Sequence, residues 1–167
     1  MLLLDFYQSI LQLADEALVD RAVKCSEVKM LKQGDYLIRQ GEVPTHMYFL
    51  LSGVLRGFLL DLNGKDMTDC IVFRCGDAVM PDNDYTQPAS ITLEALTDCE
   101  LVSISLPETL RLLEKYPSLN HLHYKLLLNS ANRHRDLKIA IYQYTAMQRY
   151  QWFLREYPGL IDQIGHK

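Results

Sequence analysis

Between Leu31 and Leu106 the apolar residues come in short runs cut by turn residues, and no run is long or periodic enough for a helix. Val28 and Met30 alternate with Glu27 and Lys29. Lys32-Gln33-Gly34-Asp35 then turns the chain into Tyr36-Leu37-Ile38, and Gln40-Gly41-Glu42 turns it again. Met47 to Leu51 is a buried run closed by Ser52-Gly53. Leu55–Leu62 and Met67–Phe73 flank Asn63-Gly64, a dipeptide that predicts a two-residue type I′ hairpin because both central positions need positive φ. The polar, proline-bounded stretch from Met80 to Pro88 reads as part helical turn, part loop. Alternation resumes at Ser90, with Ile91, Leu93 and Ala95 on one face and Ser90, Thr92 and Glu94 on the other. Thr97-Asp98 leads into Leu101–Leu106. Several short strands that close on one another predict a small barrel or roll.

Helices are predicted on both sides of the roll. Leu3, Phe6, Ile10, Leu13 and Leu18 fall at roughly helical spacing, so residues 2 to 24 make one or two amphipathic helices. Pro107 stands where a first helical residue tolerates proline, ahead of Leu110, Leu112 and Leu113, and Tyr116-Pro117 breaks that helix. From Ser118 to Tyr144 there is no Gly or Pro, which predicts one helix of ~40 Å. One seam along it reads Tyr124, Leu127, Ala131, His134, Lys138, Ile141 in steps of three and four. A second stripe, Leu122, Leu126, Leu137, Ala140 and Tyr144, suits packing on the roll. Two apolar stripes imply one turned to the chain's own core and one to a twin in a symmetric dimer. A last helix carries Met147, Tyr150, Phe153, Leu154 and Tyr157 and ends at Pro158-Gly159. The expected organisation is N-terminal helices plus roll over residues 1–116, then the long helix and its successor over 117–167.

Composition narrows the class. The chain has 167 residues, 49% of them hydrophobic and 23% charged, enough for one domain with appended helices. A net charge of -4 argues against a broadly nucleic-acid-coating protein, although a basic patch can hide inside such a total. The four cysteines, Cys25, Cys70, Cys75 and Cys99, form no CxxC pair, which suits a reducing cytoplasm. The opening Met-Leu-Leu-Leu lacks a basic flank and is interrupted by Asp5, Gln8 and Asp15, so it does not read as a signal peptide. No apolar run approaches ~20 residues, and a cytoplasmic protein without a membrane span is expected.

Candidate chemistry is sparse. In a helix, His121 and His123 point about 200° apart and cannot share one ion locally. The cysteines lack iron–sulfur spacing, and there is no CxxCH for covalent haem, so no metal or cofactor is expected. Cys70 and Cys75 read either as a redox sensor or as inert buried strand cysteines. Ser90 and Thr92 suit pocket hydroxyls or the polar face of a half-buried strand. Asp82 and Asn83 read as turn formers, and Arg133, Arg135 and Lys138 as a solvated face or a ligand contact. The aromatic tail from Tyr142 to Tyr157 reads as helix packing rather than a base-stacking platform. A roll enzyme of the cupin kind needs converging His and Glu ligands. The roll offers one histidine, His46, so no enzyme is expected.

The ordered set of Gly34, Gly41-Glu42, Gly53, Gly76-Asp77 and Ala95-Leu96-Thr97-Asp98-Cys99-Glu100-Leu101, followed by the long helix, resembles the sensor half of the Crp/Fnr family of bacterial transcription regulators. The resemblance covers nearly the whole chain. It implies an α+β fold, a double-stranded β-helix or jelly roll of the cyclic-nucleotide-binding kind, with N-terminal helices and a long C-terminal dimerisation helix. It also implies a small effector held against that helix, a homodimer, and DNA reached only through a winged helix-turn-helix domain not contained in these residues.

Two departures accompany it. Cyclic-nucleotide binders of this superfamily open a phosphate cassette with Gly-Glu and close it with Arg-Ser or Arg-Thr. Here those positions fall at Met80-Pro81 and at Ala89-Ser90. A buried phosphate without a cation is costly, and Asp82 and Asp84 make the loop acidic, so an unusual effector or none is expected in place of cAMP. By position the effector contacts would be Asp82, Asn83, Ala89, Ser90, Thr92, His134 and Arg135, with no catalytic or metal residue. The second departure is that the family's DNA-binding domain would begin about where these residues stop. The alternative reading is a stand-alone regulatory domain that acts on a protein partner without DNA.

Overall fold

The computed structural model describes residues 1–82 and 84–163. The N-terminal segment is α1 (Leu3–Asp5), a wider π-helical turn over Phe6–Ile10, and α2 (Glu16–Lys24). In the π turn Leu11 N donates to Phe6 O at 3.0 Å, one residue more than an α-turn spans. The extra residue rotates the apolar stripe, so Phe6, Tyr7 and Leu11 are buried while Ile10, expected on the buried face, is exposed. Asp15 caps α2 by accepting from Leu18 N at 3.0 Å.

Among the described residues seven strands follow: β1 (Ser26–Leu31), β2 (Tyr36–Ile38), β3 (His46–Ser52), β4 (Leu55–Leu60), β5 (Asp66–Val72), β6 (Thr92–Ala95) and β7 (Cys99–Ser105). They form two antiparallel sheets, β1-β7-β3 and β2-β6-β4-β5. Leu50, Leu55, Leu93, Leu101 and Val79 fill the space between the sheets, each at most 1% exposed. The other faces of β3 and β7 carry Met47, Phe49, Leu51, Val102 and Ile104, which pack on Phe6, Leu18 and Val19 of the N-terminal helices and on Leu112 of α3 (Leu106–Lys115). Both strands are therefore covered on both faces, which is why Met47–Leu51 of β3 reads as a continuous apolar run. On β6, Ile91, Leu93 and Ala95 are buried and Ser90, Thr92 and Glu94 are not, as the alternation predicts. Arg56 on β4 binds Glu94 of β6 at 2.9 Å and Asp66 of β5 at 2.7 Å, tying three strands of one sheet.

The Asn63-Gly64 hairpin forms, with a different turn. Gly64 is left-handed (φ 79°) and Asn63 is not. Asp61 N donates to Lys65 O at 2.8 Å and Gly64 N to Asp61 O at 3.0 Å, so the loop has three residues. The cause is Asp61, whose Oδ1 accepts from Asn63 N at 2.8 Å and from Lys65 N at 2.9 Å. Among the described residues from Met80 to Pro88 there are turns and no helix.

After α3, the helix α4 (Ser118–Gln143) runs unbroken for 26 residues. Two compact units divide the chain inside it, Met1–Leu126 and Leu127–Lys167. The second unit adds α5 (Ala146–Glu156) and α6 (Leu160–Gln163). Thr145 and Gln148 form a capping box at the start of α5, and Arg149 donates to Tyr144 O at 3.1 Å, satisfying a carbonyl just past the end of α4. Trp152, Tyr157 and Leu160 are buried there, the two rings meeting edge to face at 5.9 Å. Of the predicted seam, Tyr124 is 65% and Ile141 48% exposed, Ala131 and Lys138 are exposed, and Leu127 and His134 are half-buried. Of the second stripe, Ala140 is buried and Leu122, Leu126, Leu137 and Tyr144 are half-buried.

Gly53 has φ 96°, and a Cβ there would lie 2.4 Å from Asp98 O and 2.8 Å from Cys99 Cα. Gly64, also left-handed, has open space around it. Gly53→Ala is expected to cost more than ~3 kcal/mol in urea unfolding and Gly64→Ala about 1 kcal/mol, because only the first adds a backbone clash to the left-handed penalty.

Candidate functional site

The roll holds a cavity of about 110 Å³ between its two sheets, and Glu42, Val43 and Thr45 of its lining are exposed. Leu37, Ile38, Tyr48, Val79 and Leu93 make the apolar wall, Glu42, Thr45 and His46 a polar one, and Met80 and Pro81 close it. Most of the polar groups are held. Glu42 Oε2 accepts from Arg39 N at 2.8 Å, and Thr45 Oγ1 lies 2.9 Å from His46 Nδ1. Burial pushes the Tyr48 phenol above its ordinary range, so it stays protonated near neutrality.

The loop from Met80 to Ser90 borders this cavity. Asp82 takes both donors of Ser90: Oδ2 accepts from Ser90 N and Oδ1 from Ser90 Oγ, each at 2.7 Å. That is a backbone N–H and a hydroxyl converging on one carboxylate, the arrangement in which a loop holds an oxyanion. Ala89, beside it, is 3% exposed. Its N–H donates to Glu42 O and its carbonyl accepts from Gly41 N, both at 2.8 Å, so the Gly41-Glu42 turn fixes it in place. Thr92 Oγ1 accepts from Gln40 N at 3.0 Å. Asp84 accepts from Thr86 N at 2.9 Å and Oγ1 at 2.6 Å, and these bonds hold its carboxyl below the usual range.

The structure thus brings together Asp82, Ala89 and Ser90, with Thr92 two residues on along the chain. Asn83 lies outside the described residues. His134 and Arg135 belong to the second unit, where Arg135 pairs with Asp136 at 3.2 Å and His134 is half-buried. Cys70 is on β5, but Cys75 is exposed in a turn, which corrects its reading as a buried strand cysteine. Partial burial and then the Asp77 carboxylate push the Cys75 thiol up, away from thiolate reactivity. His121 is exposed, while His123 Nε2 meets Tyr85 OH at 3.1 Å. Sequence reading gave Tyr85 no role. The available signal was a histidine set among Leu119, Leu122 and Leu126 on the inner stripe of α4. Among the described residues no cluster of His, Cys, Asp or Glu is arranged to hold a metal, and no helix is long and apolar enough to cross a membrane.

Two antiparallel sheets packed around a small cavity, with helices before and after them, define a β-roll. The chain belongs to the cyclic nucleotide-binding domain family, whose model matches residues 28–116. Comparison with curated proteins finds no significant match. Among solved structures, the catabolite activator protein of Thermus thermophilus shares the fold with a TM-score of 0.62 at 23% identity, over 77% of this chain and 60% of that one. The c-di-GMP responsive global regulator CLP of Xanthomonas campestris gives 0.68 at 18%, over 86% and 74%. The sensor domain of the transcriptional regulator DNR of Pseudomonas aeruginosa gives 0.63 at 21%, over 80% and 90%. The resemblance to Crp/Fnr sensor domains therefore holds at the level of the fold, and the chain spans 60% of the length of the Thermus protein.

Asp82→Ala should release the Ser90 donors without touching either sheet. Hydrogen exchange at the Ser90 amide is expected to quicken by about tenfold, with exchange in β3 and β7 unchanged. Equal protection in the variant would mean that the bond does not order the loop.

Proposed function

We propose that this chain is the effector-sensing, dimerising part of a Crp/Fnr-type transcription regulator, not an enzyme, and that its roll does not take a cyclic nucleotide in the usual way. The observation that carries the reading is the pair Ala89 and Asp82. At the position where the superfamily places a phosphate-neutralising arginine stands a buried methyl group. The donors beside it, Ser90 N and Oγ, are held by an internal carboxylate. A cyclic phosphate would have to displace Asp82, approach Asp84, and be buried without a cation, each of which disfavours it. Asp82 and Ser90 are then the residues through which an effector is excluded or admitted, with Ala89 and Thr92 shaping the same border.

Dimerisation is read from α4, whose seam of Tyr124, Leu127, Ala131, His134, Lys138 and Ile141 is largely exposed in the single chain. An effector would act by population shift, binding one packing of the paired helices better than another. DNA would be read by a domain of the full protein beyond these residues, in the cytoplasm. The solved relatives described as regulators of transcription or gene expression support this assignment.

Two measurements test it. Calorimetry with cAMP and cGMP should show no binding in the micromolar range, and tight binding would refute the Ala89–Asp82 argument. Light scattering should give a dimer, and Ala131→Glu should weaken it by at least about tenfold, since it sets like charges face to face in the seam. A monomer at high concentration would remove the seam.

A further inference from the structure

A second cavity lies on the other side of the β3–β7 pair, wholly inside the Met1–Leu126 unit. Its volume is about 70 Å³. Met47, Phe49 and Ile104 form its floor, Leu18 of α2 and Leu112 of α3 two sides, and Leu122 of α4 another. It shares no lining residue with the roll cavity. β3 divides the two, with Tyr48 turned to one and Met47 and Phe49 to the other.

Four polar side chains reach the lining: Tyr7, Tyr85, Thr109 and His123. Each already has a partner. Tyr7 OH lies 2.6 Å from Ser26 Oγ, Thr109 Oγ1 donates to Ser105 O at 3.0 Å, and Tyr85 and His123 hold each other. A trapped water needs two to four polar partners, and this lining offers it no unengaged side-chain group, so water is poorly held there. Leu13, Leu113 and Leu119 of the lining are only half-buried, so the cavity opens partly to solvent while its walls stay apolar. We propose that the cavity is a binding site for a small uncharged, hydrocarbon-like ligand, separate from the roll. An apolar cavity of ~150 Å³ admits benzene or xenon, so about half that volume suits a xenon atom or a chain of about three carbons.

Its position gives the site a way to be felt. Leu119, Leu122 and Leu126 line it from the first turns of α4, and Tyr85 brings to it the loop that also carries Asp82 and Ser90. The proposal deepens the sensing role suggested above by naming an effector class. It does not rest on the dimer or on nucleotide exclusion, so those can fail alone.

The test is methyl NMR of the whole chain under xenon pressure. Saturable shifts are expected on Leu18, Met47, Ile104, Leu112 and Leu122, while Leu50 and Leu55 between the sheets stay still. Leu122→Phe, which fills the space, should weaken xenon binding by about tenfold or more. Leu112→Ala, which enlarges it, should tighten binding and admit benzene. Shifts that grow linearly with pressure, spread over both cores, or persist unchanged in the filled variant would overturn the proposal. Should the filled variant fail to fold, the enlarged one decides, and absence of benzene binding to it counts against the site.

Discussion

β3 and β7 must satisfy two cores at once. β7 is hydrogen-bonded on both edges, to β1 and to β3, and both strands are covered on both faces. Leu50 and Leu101 point into the roll with no exposure, while Phe49 and Val102 face the helices. A slip of one residue would exchange every side chain between the two cores, so the register is strongly held. Removing a large side chain from either side would cost about 2–5 kcal/mol, in a protein whose whole stability is of order 5–15. The strand pair is accordingly a stiff partition. Each cavity lies against one of its faces, and that is why a single sheet can border two chemically different spaces.

The chemistry at the roll's border depends on far less of the chain. The same roll can accept or refuse an anion according to two or three side chains on one loop, because the sheets fix where the loop sits but not what it presents. The Gly41-Glu42 backbone pins Ala89, so the residue at that position is held beside the cavity border whatever its side chain. Asp82 answers the same donors that an oxyanion would and carries its own charge to them. Membership of the cyclic nucleotide-binding family therefore places the fold, while the ligand has to be argued from these few side chains.

Much of the fold was legible because its signals are local. Period-two alternation marked β6, glycine-bounded runs marked β3 and β4, and the absence of Gly and Pro marked α4. The failures arose where a side chain or a backbone irregularity overrode the pattern. Asp61 captured two amides and turned an expected two-residue hairpin into a three-residue one. A single π turn moved burial from Ile10 to Leu11. The site was less legible than the fold. Asp82 and Ser90 are eight residues apart, and spacing alone does not bring a carboxylate onto a distant amide and hydroxyl. Tyr85 and His123 are further apart still, and no periodicity pairs a loop tyrosine with a helical histidine.

The beginning of α4 has an inner face and an outer face with different neighbours. Leu119, Leu122 and Leu126 stand at i, i+3 and i+7, one stripe of the helix, and that stripe is the wall of the apolar cavity. On the same turns Tyr124 is 65% exposed and belongs to the seam proposed to meet a partner. A helical turn is stiff over a few residues, so a ligand that displaces the inner stripe moves the outer one with it. Linkage limits the effect to the difference in the ligand's affinity for the two positions of the helix. A small apolar molecule has little affinity to divide. A shift of 1–3 kcal/mol is nevertheless the ordinary size of coupling between sites, and displacing a few buried methylene groups, at about 0.8 kcal/mol each, reaches it. A small apolar cavity would therefore suffice for the proposed sensing, with no need for the strong electrostatic grip that a nucleotide phosphate would demand.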